Sequence, residues 1–185
     1  MVRFYLLLAA CFYVYAAQEL PNFGIMSSAF SNGTEIPEDF GCVKGNNDKP
    51  SIPLLWAKPP PTAKSFVVLM HDPDAIPVVG LDYIHWLVVD IPPSTFQLGA
   101  GASNKDMPEG AIELENSRKT KGYTPPCPPT PQVHTYRVHV YARAEEKTTI
   151  DTSSRDARDV LKQLEEGNVG ISDELDGLYH QPGRY

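Results

Sequence analysis

Positive charge is scarce in this chain. It carries 16 Lys+Arg against 23 Asp+Glu, a formal net charge of −7. A chain so acidic repels a polyphosphate backbone, so nucleic acid is not an expected partner. Cysteine is also sparse, with three in 185 residues. No Cys-x-x-Cys pair, Gly-rich phosphate loop, His-Glu-x-x-His helix or Gly-x-Ser-x-Gly elbow occurs, so the common signatures of metal, nucleotide and serine-hydrolase chemistry are missing. No cofactor and no metal are expected. After the first seventeen residues no apolar run is long enough to span a bilayer, so no transmembrane segment is expected. Proline, by contrast, is abundant: its 18 residues are about twice the usual ~5% share. Proline ends helices and donates no ladder hydrogen bond, which excludes a long helical bundle. With 42% hydrophobic and 21% charged residues the chain has globular composition, and its length suits one domain. The fold expected is all-β dominated and rich in loops.

The beginning of the chain reads as an export signal. Arg3 is a minimal positive region, and Phe4 to Tyr15 is an uncharged apolar run of signal-peptide length. Val14-Tyr15-Ala16 places tolerated residues before a cleavage point, so residues 1–16 are expected to be removed, leaving one domain over residues 17–185. A buried N-terminal strand or an uncleaved anchor is the alternative. The expected location is secreted or extracellular, or periplasmic in a bacterium. Cys11 leaves with the signal, and Cys42 and Cys127 remain. An even pair in an oxidising compartment reads economically as one disulfide, with two separate buried thiols as the alternative. Asn32-Gly33-Thr34 is a glycosylation sequon, and Asn32-Gly33 is equally a plain turn.

Three runs read as strands. Ser65 to His71 is apolar and β-branched, bounded by Lys64 and Asp72-Pro73; Tyr83 to Ile91 ends at Pro92-Pro93; Val133 to Ala142 is the third. In the third, the two-residue period puts His134 and Tyr136 on the face of the apolar Val138 and Val140, a polar pair at one end of a core-facing row. Gly24 to Phe30 and Ser51 to Trp56 are weaker strand candidates. One amphipathic helix is expected: Ser153 or Ser154 caps it, Ala157, Val160, Leu161 and Leu164 form its apolar face, and Gly167 stops it.

The residues able to do chemistry gather at strand ends. Asp72 closes the first strand, His85 opens the second, and His134 and Tyr136 open the third. Converging on one pocket, two imidazoles, a carboxylate and a phenol would suit a small anion, a metal or an acid/base pair. Taken singly, each has a plainer explanation. Asp72 before proline forms turns, a histidine is often a hydrogen-bonded core residue, Tyr136 is often core, and the proline-rich run around Cys127 is equally a stiff surface loop.

Several strings, in order, carry a resemblance. They are AFSNGTEIPEDFGC, Pro53-Leu54-Leu55-Trp56, Thr62-Ala63-Lys64-Ser65-Phe66, Asp72-Pro73-Asp74-Ala75, His85-Trp86-Leu87-Val88-Val89, Gly122-Tyr123 with Cys127-Pro128-Pro129, and His134-Thr135-Tyr136. Together they resemble the phosphatidylethanolamine-binding proteins, also called Raf kinase inhibitor proteins, in their bacterial-type branch, which includes exported members. The resemblance implies two antiparallel sheets in a Greek-key β-sandwich with a C-terminal amphipathic helix. It also implies a pocket for phosphate or a phospholipid head group. Carried over by motif, Asp72 is the pocket carboxylate, His85 the second-strand histidine, Pro128 and Pro129 the rim, His134 and Tyr136 the donors, and Tyr179 the tyrosine over the mouth. The chain departs from the pattern at Ile76, Pro125 and Thr130-Pro131-Gln132, which bear on the rim and on the approach to His134.

The function expected is a secreted binding protein for a small anion such as phosphate, phosphoethanolamine or a phospholipid head group, acting in signalling or inhibition. The second reading is an inhibitor that meets a serine protease or kinase through its surface. The third is a hydrolase or lyase using His85, His134 and Asp72; no activated nucleophile is visible to support it, so the protein is not expected to be an enzyme.

Overall fold

The computed structural model describes residues 22–43, 46 and 48–182. The expected signal segment 1–16, Cys11 and the domain start at Ala17 lie outside the described residues. In chain order the strands are β1 (Gly24–Met26), β2 (Thr34–Glu35), β3 (Leu54–Ala57), β4 (Ser65–Asp72), β5 (Tyr83–Ile91), β6 (Gln97–Leu98), β7 (Ile112–Glu113), β8 (Val133–Arg143), β9 (Asn168–Ile171) and β10 (Leu175–His180). Two short helices accompany them, α1 (Ile76–Val79) and α2 (Ala157–Glu165). The small sheet has the order β1-β3-β6, and the large one β2-β10-β8-β4-β5-β7, with β9 also pairing β8. The fold is the β-dominated two-sheet arrangement that the sequence implies. All pairings are antiparallel except the two-residue parallel contact of β10 with β2.

Every residue of β4 is buried, because both faces of the large sheet are covered. Its inner row (Phe66, Val68, Met70) packs with Trp86, Val88, Tyr136, Val138 and Val140 against Ile25, Leu54 and Trp56 of the small sheet. Its outer row (Val67, Leu69) packs under Ala157, Val160 and Leu164 of α2. A strand covered on both faces loses polar alternation and reads as one apolar run. β8 has a freer outer face, so its alternation survives, with Tyr136, Val138 and Val140 inward and Arg137 and His139 outward.

The helix cap differs from expectation. Asp156, not Ser153 or Ser154, is the N-cap: its backbone is extended and its carboxylate accepts from Arg158 N. Ser154 instead accepts from Asp156 N at 3.3 Å, shaping the approach one step earlier. The C-terminal stop is as read, with Gly167 at φ +68. A second helical element also differs from the single helix expected. Pro73–Ala75 forms a tight turn that runs into α1 and ends at Gly80, φ +77. Asp72 starts it by accepting from Ala75 N at 3.1 Å, so the turn-forming role of Asp-Pro and the pocket role of Asp72 coexist. Among the described residues no helix is long and apolar enough to cross a membrane.

Candidate functional site

Because β4 runs antiparallel to both its neighbours, its C-terminal end meets the starts of β5 and β8. That is where Asp72, Tyr83, His85, His134 and Tyr136 come together around a cavity of about 330 Å³. Pro125 and Cys127 to Pro129 form one wall, Val78 and Val79 of α1 another, and Arg118 stands at the lining from a separate loop. The proline wall is anchored from behind. Cys42 and Cys127 form a disulfide, Cys42 N donates to Pro126 O at 2.8 Å, and Gln181 Nε2 donates to Pro128 O at 2.7 Å.

Hydrogen bonds decide which atoms remain free. His85 Nδ1 donates to Thr124 O at 2.8 Å, which leaves the Nε2 lone pair of the neutral ring as its other polar atom. Burial pushes the His85 pKa down, opposed first by the Asp72 charge and assisted by His71 and His134. The ring centroid lies 5.0 Å from that of Tyr83 and 5.0 Å, edge-on, from that of Tyr136. Both Asp72 oxygens are engaged: Oδ1 caps the following turn, and Oδ2 receives His134 Nδ1 at 2.8 Å. The second nitrogen of His134 is also taken up, lying 2.9 Å from the Gln132 side-chain amide. The Tyr136 hydroxyl is the exception. It lies near enough to the Asp72 carboxylate and the Cys127 backbone for both to act on its pKa, yet it is buried and makes no hydrogen bond of good geometry among the described residues. Burial, and next the Asp72 charge, push its pKa up, so it stays a neutral hydroxyl.

Six of the seven residues expected at the ligand site therefore line one cavity: Asp72, His85, Pro128, Pro129, His134 and Tyr136. Tyr179 does not, which corrects its expected place over the mouth. It pairs with His134 across β10 and β8, is only 2% exposed, and donates its hydroxyl to Cys42 O at 2.6 Å. It braces the disulfide loop from inside the core. His134 also differs from the expected free donor, since Gln132 occupies its Nε2. Asn32, the expected glycosylation residue, is exposed in a turn, and its Oδ1 accepts from Asp176 N at 2.7 Å.

Nothing in the sequence singles out Arg118 or Asn116, and Gln132 stands out only within the Thr130-Pro131-Gln132 run that approaches His134. Asn116 is 1% exposed and organises the loop that carries Arg118. Its Oδ1 accepts from Arg118 N at 2.9 Å, and its Nδ2 donates to Gly122 O and Thr124 Oγ1 at 3.0 and 2.9 Å. Gly122 allows the close approach: at φ +90, a Cβ there would strike the side chains of Ser103 and Asn104. An Asn-Ser-Arg string signals only a turn; that it turns toward the cavity depends on the fold.

The family model described as phosphatidylethanolamine-binding protein matches residues 26–180. The chain belongs to this family. A UPF0098 protein of Methanothermobacter thermautotrophicus is 32% identical over 85% of this chain and 98% of its own length. The crystal structure of Escherichia coli YbcL superposes with a TM-score of 0.75 at 27% identity, covering 87% of this chain and 99% of the other. The Chlamydia trachomatis homologue CT736 gives 0.71 at 30% identity, covering 87% and 99%.

Proposed function

We propose that this member of the phosphatidylethanolamine-binding protein family binds a small oxyanion, such as phosphate or a phosphate monoester, in the cavity bounded by Asp72, His85, His134 and Tyr136. The observation that carries the reading is the Tyr136 hydroxyl. A buried polar atom without a partner costs stability, and a ligand oxygen would satisfy it. His85 supplies the second contact: once protonated at Nε2, it donates a charge-assisted hydrogen bond. Each Asp72 oxygen already accepts a hydrogen bond within the protein, which supports an anion held by His85 and Tyr136 over a cation held by the carboxylate. The reading is binding rather than turnover. Thr124 Oγ1 accepts from Asn116 and the Cys127 sulfur is in the disulfide, so neither is an activated nucleophile. A disulfide also supports function outside the reducing cytosol.

The test is native mass spectrometry of the protein with inorganic phosphate. A one-to-one complex that is lost in His85→Ala and weakened in Tyr136→Phe is expected; no complex with the unsubstituted protein would refute the reading.

A further inference from the structure

Arg118 and Arg155 stand apart from the other described arginines. Arg137, Arg143 and Arg158 approach carboxylates at 3.6, 2.6 and 2.5 Å. Arg118 and Arg155 have no carboxylate partner among the described residues, although the chain has more acidic than basic residues. Arg118 and Tyr83 both line the cavity, and the charges of Arg118 and Arg155 oppose the upward push of burial on the Tyr83 pKa. Arg118 itself lines the cavity, and Lys119 and Lys121 follow in the same loop. The two loops are tied together. Ser117 Oγ donates to Arg155 O at 2.5 Å, Arg155 reaches back to Ser117 O at 3.5 Å, and Ile84 N fixes Ser117 from β5 at 2.8 Å. With Asn116 holding the Arg118 backbone, the guanidinium stem is delivered to the mouth by a rigid support.

We propose that Arg118, backed by Arg155, is a second anion subsite at the mouth, so that the cavity selects small phosphate esters carrying a further negative group. This rests on the anion reading above and sharpens it. The phosphoryl group occupies the inner contacts at His85 and Tyr136, and the rest of the ligand points outward past Arg118. A carboxylate or second phosphate there meets a guanidinium fork; an ammonium there meets like charge. Inside the cavity Asp72 offers an ammonium little compensation, because both its oxygens are already hydrogen-bonded. Zwitterionic phosphoethanolamine is therefore a poorer ligand than a dianionic ester of the same size.

Three probes of similar size separate the cases: phosphoglycolate, ethyl phosphate and phosphoethanolamine. Arg118 is exposed, so its contribution is that of a surface ion pair, about fivefold in affinity. Calorimetric titration of the unsubstituted protein should rank phosphoglycolate above ethyl phosphate, and ethyl phosphate above phosphoethanolamine. Arg118→Ala should bring the three together, Arg118→Glu should reverse the order, and ethyl phosphate should bind all three proteins within about twofold. Raising the salt should shrink the differences. Equal binding of all three by the unsubstituted protein, or an order unchanged in Arg118→Ala, overturns this inference and leaves the anion pocket standing. Failure of all three to bind overturns both.

Discussion

His134 Nδ1 lies 2.8 Å from Asp72 Oδ2, and both side chains are almost fully buried. The contact fixes the inner wall of the cavity and turns the lone carboxylate of its lining toward the protein rather than the ligand. It also places a negative charge where it favours protonation of His85.

Asp72→Asn keeps an oxygen able to cap the turn at Ala75 but removes the charge. Losing a charge-assisted buried hydrogen bond should cost about 1–3 kcal/mol of stability, measured by denaturant unfolding. Without the carboxylate, His85 protonates less readily, so phosphate affinity should reach its maximum at lower pH than in the unsubstituted protein. An unchanged affinity profile would separate Asp72 from His85 electrostatically.

Tyr136→Phe should divide stability from binding. The hydroxyl has no partner among the described residues, so its removal should leave thermal stability unchanged or slightly raised. Phosphate binding should weaken by ~0.5–1.5 kcal/mol, the contribution of a neutral donor. Loss of stability on this substitution would mean that the hydroxyl is already satisfied.

Stability should fall as pH drops through the ordinary histidine range. His85 and His139 both have pKa values below 6.5, each chiefly from burial. The unfolded chain then binds protons first, so stability is complete above about pH 6.5 and declines as pH falls toward the lowered folded values. Phosphate should offset the His85 part, because the bound anion favours the imidazolium. Thermal unfolding at about pH 7.5 and about pH 5.5, with and without phosphate, checks this. A melting temperature independent of pH, or a phosphate effect confined to the higher pH, would contradict it.

The strands that build the site were legible because they are long and apolar. Tyr83–Ile91 has the boundaries read from sequence, and Ser65–Asp72 and Val133–Arg143 each run one residue further. β2, β6 and β7 have two residues each, too few to show a period. β10 does alternate, with Leu175, Gly177 and Tyr179 inward, but glycine in one of three inward positions hides the row. The convergence of Asp72, His85, His134 and Tyr136 followed from their places at strand ends. The capping of His134 by Gln132 and the delivery of Arg118 did not, since both depend on loop conformation. Tyr179 was misplaced because its motif gives its strand but not the direction of its ring.

The disulfide should matter to the pocket as well as to the fold. Cys42 and Cys127 are 85 residues apart, so the chain-entropy contribution is at most ~4–5 kcal/mol. Reduction, or Cys42→Ala with Cys127→Ala, should lower the melting temperature and weaken phosphate binding, because the proline wall loses its anchor. Thiol labelling of the denatured, unreduced protein should find neither cysteine free. Binding unaffected by reduction would show that Tyr179 and Gln181 suffice to hold the wall.

If His85 and Tyr136 hold a small anion at the junction of β4, β5 and β8, phosphate affinity depends on both side chains and on pH. Calorimetric titration with inorganic phosphate from about pH 5.5 to about pH 8 tests it directly, using the unsubstituted protein, His85→Ala, Tyr136→Phe and Arg137→Ala. Arg137 lies on the opposite face of β8, beside Glu174 and Asp176. Affinity should decline as pH rises, fall roughly 10- to 100-fold in His85→Ala, fall less in Tyr136→Phe, and stay unchanged in Arg137→Ala. Equal binding by the unsubstituted protein and His85→Ala, or loss in Arg137→Ala alone, would contradict it.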